Sequence, residues 1–242
     1  MGEGKQRFVF EPVAAAPVDA VVIVFDLEGF SRFFSQPDVH AYVPRFLNRV
    51  FEAVRVVFEG GTPIWKERTS TIEPLMTPTY QKFLGDGALY LLPVGGKRGL
   101  TAGHTLALIN RLWNLKSDFH TNADATSAAV PVVDVPRRIR FGVARGSGYK
   151  LTYRGSRQAE YVGYCINLAA RLQSYCPALG FIASARLRLP DSALQQANYV
   201  KVVAKKLKNF PKEIVIVDRA EYDGLEASVR AALFDPLPKG GA

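Results

Sequence analysis

Residues 20–31 read Ala-Val-Val-Ile-Val-Phe-Asp-Leu-Glu-Gly-Phe-Ser. The first six are apolar and rich in β-branched side chains, the pattern of a buried strand. That strand runs straight into Asp26, so a carboxylate stands where buried backbone ends. A second segment repeats the arrangement. Tyr80 to Leu84 and Ala88 to Leu92 read as paired strands, and Gly85-Asp86-Gly87 between them has hairpin-turn composition, because glycine takes positive φ freely.

Outward from these two points, Asp38 to Phe58 places Val43, Phe46, Leu47, Val50, Phe51 and Val54 at helical spacing, and Gly60-Gly61 ends the run. Residues 62–79 are irregular, with prolines at 63, 74 and 78. A second amphipathic helix is expected from Gly99 to Phe119, followed by a loop from Asn122 to Val135. Arg138 to Ala144 alternates as a strand, Gly146-Ser147-Gly148 reads as a turn, and Tyr149 to Tyr153 as the returning strand. Asn167 to Tyr175 is helical, with Leu168 and Leu172 on one face; Phe181 to Ser184 and Ile214 to Val217 are further strands. Helices alternating with hairpins predict an α+β domain with a mainly antiparallel sheet and flanking helices.

The chain has 242 residues, of which 48% are hydrophobic and 22% charged. Those proportions exclude a collagen-like, low-complexity or disordered chain. Two cysteines, Cys165 and Cys176, exclude a disulfide scaffold and are too few for a zinc finger; they are expected as reduced thiols. Residues 1–18 read as a polar lead-in, 19–235 as the folded domain and 236–242 as a frayed tail. The N-terminus lacks the apolar run of a signal peptide, and six apolar residues cannot cross a bilayer, which takes about 20 in a helix. The cytoplasm is the expected location, with no membrane association. The formal charge of +9 favours an anionic partner: nucleic acid, a membrane or a nucleoside polyphosphate.

Asp26 and Asp86 suit a hard divalent ion, which takes carboxylate oxygens and completes its shell with phosphate and water. The plain alternative for Asp86 is a turn residue, since Asp-Gly is a common hairpin signal. Asn167 and Arg171 stand four residues apart, on one face of their helix, where an amide and a guanidinium make a phosphate clamp; the plain alternative is a solvated arginine.

In order along the chain, Phe25 to Ser31, Lys82 to Leu92, Arg138 to Gly148, Glu160 to Leu172 and Leu207 to Phe210 resemble the motifs of class III nucleotidyl cyclase catalytic domains. The resemblance runs from about Val21 to Val217. It implies a ferredoxin-like cyclase fold and a head-to-tail homodimer. Asp26, Leu27 and Asp86 would form the metal site for two divalent cations, Mn²⁺ or Mg²⁺. Asn167, Arg171 and Lys208 would serve as catalytic residues, orienting the ribose, meeting charge on the α-phosphate and neutralising the β- and γ-phosphates. In this family the metal aspartates come from one subunit, and the Asn/Arg pair and base-reading residues from the other.

The base-reading positions are Lys82 and Glu160, which match neither the Lys/Asp set of adenylate cyclases nor the Glu/Cys set of guanylate cyclases. Lysine offers donors only and ionised glutamate acceptors only, which serves adenine, cytosine or uracil but serves guanine poorly. Glutamate is longer than aspartate, Tyr161 follows it, and Tyr80 shares a strand face with Lys82, so the pocket is expected to be narrow and to favour a pyrimidine. The departure and the stand-alone form also resemble the pyrimidine cyclases of Pycsar antiphage systems, which make cyclic UMP or cyclic CMP for a separate effector. UTP is the expected substrate, then CTP, with ATP the runner-up. A degenerate cyclase fold that binds nucleotide without catalysis is the non-enzyme alternative; a nucleic-acid binder ranks below both, because the basic residues are spread along the chain. His40, His104 and His120 show no ligand spacing, Trp65 and Trp113 read as packing residues, and Lys205, Lys206 and Lys212 as a solvated basic edge.

Overall fold

The computed structural model describes residues 9–63, 71–96, 99–127, 134–156 and 158–237. Strands are β1 (Pro17–Glu28), β2 (Tyr80–Phe83), β3 (Gly87–Pro93), β4 (Arg138–Thr152), β5 (Ala159–Gly163), β6 (Phe181–Ser184), β7 (Tyr199–Ala204), β8 (Glu213–Asp218) and β9 (Phe234–Pro236). Helices are α1 (Phe30–Phe34), α2 (Val43–Glu59), α3 (Ala102–Ser127), α4 (Tyr164–Tyr175), α5 (Asp191–Gln196), α6 (Arg219–Asp223) and α7 (Ala227–Leu233). The strands form one sheet in the order β2-β3-β1-β4-β6-β8-β7-β9, with β5 beside the second half of β4. Among the described strands the β4–β6 pairing is parallel and the others are antiparallel.

Period-two alternation in β1 divides the core. Val21, Ile23 and Phe25 face α2 and α3, against Phe46, Val50, Val54, Leu108, Leu112 and Leu115. Ala20, Val22 and Val24 face α4, against Cys165, Leu168, Ala169 and Leu172. Both cysteines are buried and free, as expected. Asp26 continues the even series, so its side chain stands on the α4 side of the sheet.

Close backbone approach explains two glycines. A Cβ on Gly142 would lie 2.0 Å from the Ala169 carbonyl oxygen, so α4 rests directly on β4. A Cβ on Gly87 would lie 1.9 Å from the Phe25 carbonyl oxygen, where β3 closes onto β1. Gly87→Ala is therefore expected to cost roughly 1–3 kcal/mol and to displace Asp86. The check is the thermal midpoint; an unchanged midpoint would contradict the close approach.

Several expectations need correction. β1 runs three residues past Phe25, so Asp26 lies within the strand rather than after it. Residues 146–148 form no turn: β4 is one 15-residue strand, because β1 pairs with it from Tyr149 back to Arg138. Its glycines make room for neighbours instead, Gly146 against Cys165 and Gly148 against Leu91. The expected loop from Asn122 begins as helix, since buried Ala123 extends the Leu112, Leu115, Phe119 stripe; residues 128–133 lie outside the described residues. Helix α2 starts at Val43, five residues after Asp38, behind a short 3-10 turn. The lead-in is partly fixed, with Phe10 bridged to Tyr153. The expected tail begins inside β9 at Pro236; residues 238–242, like Trp65, lie outside the description. Trp113 packs against the α2–α3 core. No helix among the described residues is long and apolar enough to cross a membrane.

Candidate active site

Asp26 and Arg140 face each other as cross-strand partners on β1 and β4. The guanidinium grips the carboxylate with Nε at 3.0 Å and Nη2 at 2.6 Å, and Gln173 of α4 donates its Nε2 to the same carboxylate. On its other flank Asp26 pairs with Gly87, which sets Asp86 next to it; the Leu27 N–H donates to the Asp86 carbonyl at 3.1 Å. Burial pushes the Asp26 carboxyl above the ordinary carboxylate range, Arg140 pulls the other way, and the charges of Asp86 and Glu28 add to the rise.

Those donors fit a divalent cation. Asp26 within β1 and Asp86 in the β2–β3 turn beside it bring two carboxylates near each other, and the like charge between them is what a cation would relieve. The Leu27 side chain is buried in the core, so only its main chain can contribute. Among the described residues no three His, Cys, Asp or Glu side chains converge, so phosphate oxygens and water would have to complete the shell.

A second cluster gathers all four residues expected to meet a base. Glu160 Oε2 accepts from Lys82 Nζ at 2.8 Å and from the Tyr80 hydroxyl at 2.6 Å. The Tyr80 and Tyr161 rings stand 4.8 Å apart, centroid to centroid. Burial alone would raise the Glu160 carboxyl, but hydrogen bonds from Lys82, Tyr80 and Tyr153, with the lysine charge, hold it below its ordinary value. Glu160 is thus an ionised acceptor beside a cationic donor. Alternation puts Tyr80 and Lys82 on the α4 side of β2, across from Leu91 and Leu89.

Helix α4 carries Asn167 and Arg171 on its exposed side, while Cys165, Leu168, Ala169 and Leu172 bury the other. At 100° per residue, Arg171 and Gln173 point about 160° apart. Gln173 reaches the chain's own Asp26, so Arg171 is turned away from it. Lys208 is exposed in the β7–β8 turn, whose neighbours Leu207 and Phe210 are buried against the α4 side of the sheet. Lys205 pairs with Asp235 rather than standing as a free basic edge. Lys206 and Lys212 are exposed in the same turn, and the three histidines are exposed.

Sequence reading missed Arg140, Gln173 and Tyr153. Arg140 lies within a quoted motif, but its role as the partner of Asp26 comes from strand register. Tyr153 places its hydroxyl 3.4 Å from Glu160 Oε1, at the far end of the β4–β5 hairpin.

No protein-family model matches the chain, and no curated protein matches it in sequence. Solved structures do match in fold. The adenylyl cyclase CyaB of P. aeruginosa superposes with a TM-score of 0.60 at 18% identity, over 85% of this chain and 96% of that one. The guanylyl cyclase Cya2 gives 0.59 at 17% identity, over 85% and 93%. A bacterial light-regulated adenylyl cyclase gives 0.55 at 16% identity, over 86% of this chain and about half, 53%, of that one. These superpositions show that the chain has the class III cyclase fold.

Proposed function

We propose that this chain is a nucleotidyl cyclase, working as a head-to-tail homodimer with its sites at the interface. One observation carries the reading. On a single chain, the carboxylate pair and the Asn167–Arg171 stripe face in different directions, so one nucleotide can meet both only between two chains. Asp26 and Asp86 would hold the cations, with the Leu27 main chain beside them. Divalent cations bound there would lower the pKa of the ribose 3′-hydroxyl and offset polyphosphate charge.

The partner chain supplies the rest. Asn167 orients the ribose, Arg171 meets charge gathering on the α-phosphate, and Lys208 neutralises the β- and γ-phosphates. The 3′-hydroxyl gives up its proton to water, its oxygen bonds to the α-phosphorus in line, the bond to the bridging oxygen breaks, and pyrophosphate leaves.

Glu160 and Lys82 present an acceptor beside a donor. Uracil answers with N3–H and a carbonyl; cytosine and adenine answer with an amino group and a ring nitrogen. Size then discriminates. The Tyr80 and Tyr161 rings wall the cluster, and a longer carboxylate than aspartate fills more of it, which favours UTP, then CTP. The Lys and acidic pair supports ATP as the second reading. The resemblance to Pycsar cyclases supports a cytoplasmic role in antiphage signalling through a separate cyclic-nucleotide-responsive effector.

The test is competition among the four nucleoside triphosphates with Mn²⁺, following pyrophosphate and cyclic product. UTP is expected to be consumed first. Tyr80→Ala is expected to raise ATP use relative to UTP by about tenfold, by widening the pocket. ATP consumed first by the unmodified protein would reject the pyrimidine reading. Binding with no cyclic product from any nucleotide would leave the non-catalytic module, and salt-resistant retention of DNA or RNA would favour a nucleic-acid binder.

A further inference from the structure

Glu213, the first residue of β8, is a carboxylate only 7% exposed, and it lies outside the proposed metal, phosphate and base-reading residues. It is fully engaged. Arg186, just past β6, donates Nε at 2.8 Å to one oxygen and Nη2 at 3.1 Å to the other. Ser184 donates its hydroxyl at 2.8 Å, and the Tyr164 hydroxyl lies 3.3 Å away. Arg186 Nη2 also donates to the Tyr164 hydroxyl at 3.0 Å, and its guanidinium lies over the Tyr164 ring, 4.7 Å from the centroid. The ring's other contact is Phe210, edge to face at 4.7 Å.

The two ends of this cluster matter. Tyr164 is the first residue of α4; Asn167 follows at i+3 and Arg171 at i+7, so all three fall in one stripe of the helix. Phe210 belongs to the β7–β8 turn, two residues past Lys208. The Tyr164 ring is thus the joint between the helix that carries the amide and guanidinium and the turn that carries the lysine. A half-exposed aromatic ring between a lysine turn and a helix end would swing unless something fixed it. The Arg186–Glu213 pair fixes both its face and its hydroxyl. Glu213 is buried but the Arg186 side chain is 52% exposed, so the ion pair itself adds little stability, and what it supplies is geometry.

We propose that Glu213, Arg186 and Tyr164 are positioning residues that set Lys208 relative to Asn167 and Arg171. The proposal rests on the cyclase reading and adds a brace to it. None of the three touches the nucleotide; each acts through the stripe or the turn.

The experiment is a double-mutant cycle between Arg186→Ala and Lys208→Ala, measured as kcat and KM for the preferred nucleoside triphosphate. Tyr164→Phe, which keeps the ring and removes only its hydroxyl bonds, is run in parallel as the mild variant. Arg186→Ala is expected to lower kcat by about tenfold with a smaller change in KM, and Tyr164→Phe by roughly threefold. Lys208→Ala is expected to cost several-fold less in the Arg186→Ala background than in the unmodified protein. Lys201→Ala, which breaks a distant pair with Asp191, is expected to combine with Lys208→Ala multiplicatively. Multiplicative effects of Arg186→Ala and Lys208→Ala in an active protein would overturn the brace alone, as would an unchanged kcat in Tyr164→Phe. An unmodified protein that turns over no nucleoside triphosphate would remove the cyclase reading, and the brace with it.

Discussion

Asp26→Ala is expected to abolish cyclic-nucleotide formation, a loss of at least roughly 10³-fold, and Asp86→Ala to do the same. Each leaves a single carboxylate where two are needed to gather cations under the triphosphate. The measurement is product formation with Mn²⁺ for each variant, beside the thermal midpoint. The fold should survive, because β1 is held by its backbone pairing with β3 and β4, although the Arg140 guanidinium and the Gln173 amide lose their partner. Burial and the charges of Asp86 and Glu28 raise the Asp26 carboxyl above the ordinary range, against the pull of Arg140. A carboxyl that holds its proton more tightly in the folded chain contributes most at acid pH, and that contribution fades as pH rises through its raised value. Without added cation, the Asp26→Ala midpoint should therefore compare better with the unmodified protein at neutral pH than at acid pH. Full turnover in either variant would remove the metal assignment.

Mixing Asp26→Ala chains with Arg171→Ala chains should restore activity that neither has alone. Random assortment makes half the dimers mixed. A mixed dimer has one site with both defects and one with none. The expected recovery is about a quarter of the unmodified activity, from the symmetry of two equivalent sites shared across a twofold axis. The structural reason lies in α4. Gln173 reaches the chain's own Asp26 from one side of the helix, and Arg171 points about 160° away from it. Mixed dimers shown to form, yet without activity, would reject sites shared between chains.

Much of this architecture was readable in advance. Residues 20–25 announced a buried strand, and the Gly85-Asp86-Gly87 turn announced a hairpin, because both signals are local: side-chain branching, and the φ freedom of glycine. The residues suspected of reading a base do converge, through strand alternation that puts Tyr80 and Lys82 on one face. The errors are as local as the successes. Gly146 and Gly148 resemble turn residues, yet they lie mid-strand, since what they accommodate is Cys165 and Leu91 from distant parts of the chain.

The letters alone carried the period of most elements, though not of residues 146–148 or 122–127, together with the chemistry of the suspected residues and their order. Side-chain type and short-range spacing are properties of neighbours along the chain, so no folding was needed to read them. Tertiary structure alone decided that Asp26 faces Arg140 on one flank and lies next to Asp86 on the other, because strand register across β3, β1 and β4 is set by long-range packing. It also decided that Glu213, unremarkable as a letter, is buried against Arg186 and Tyr164. Pairings between residues dozens of positions apart arise only when the whole sheet closes over both cores.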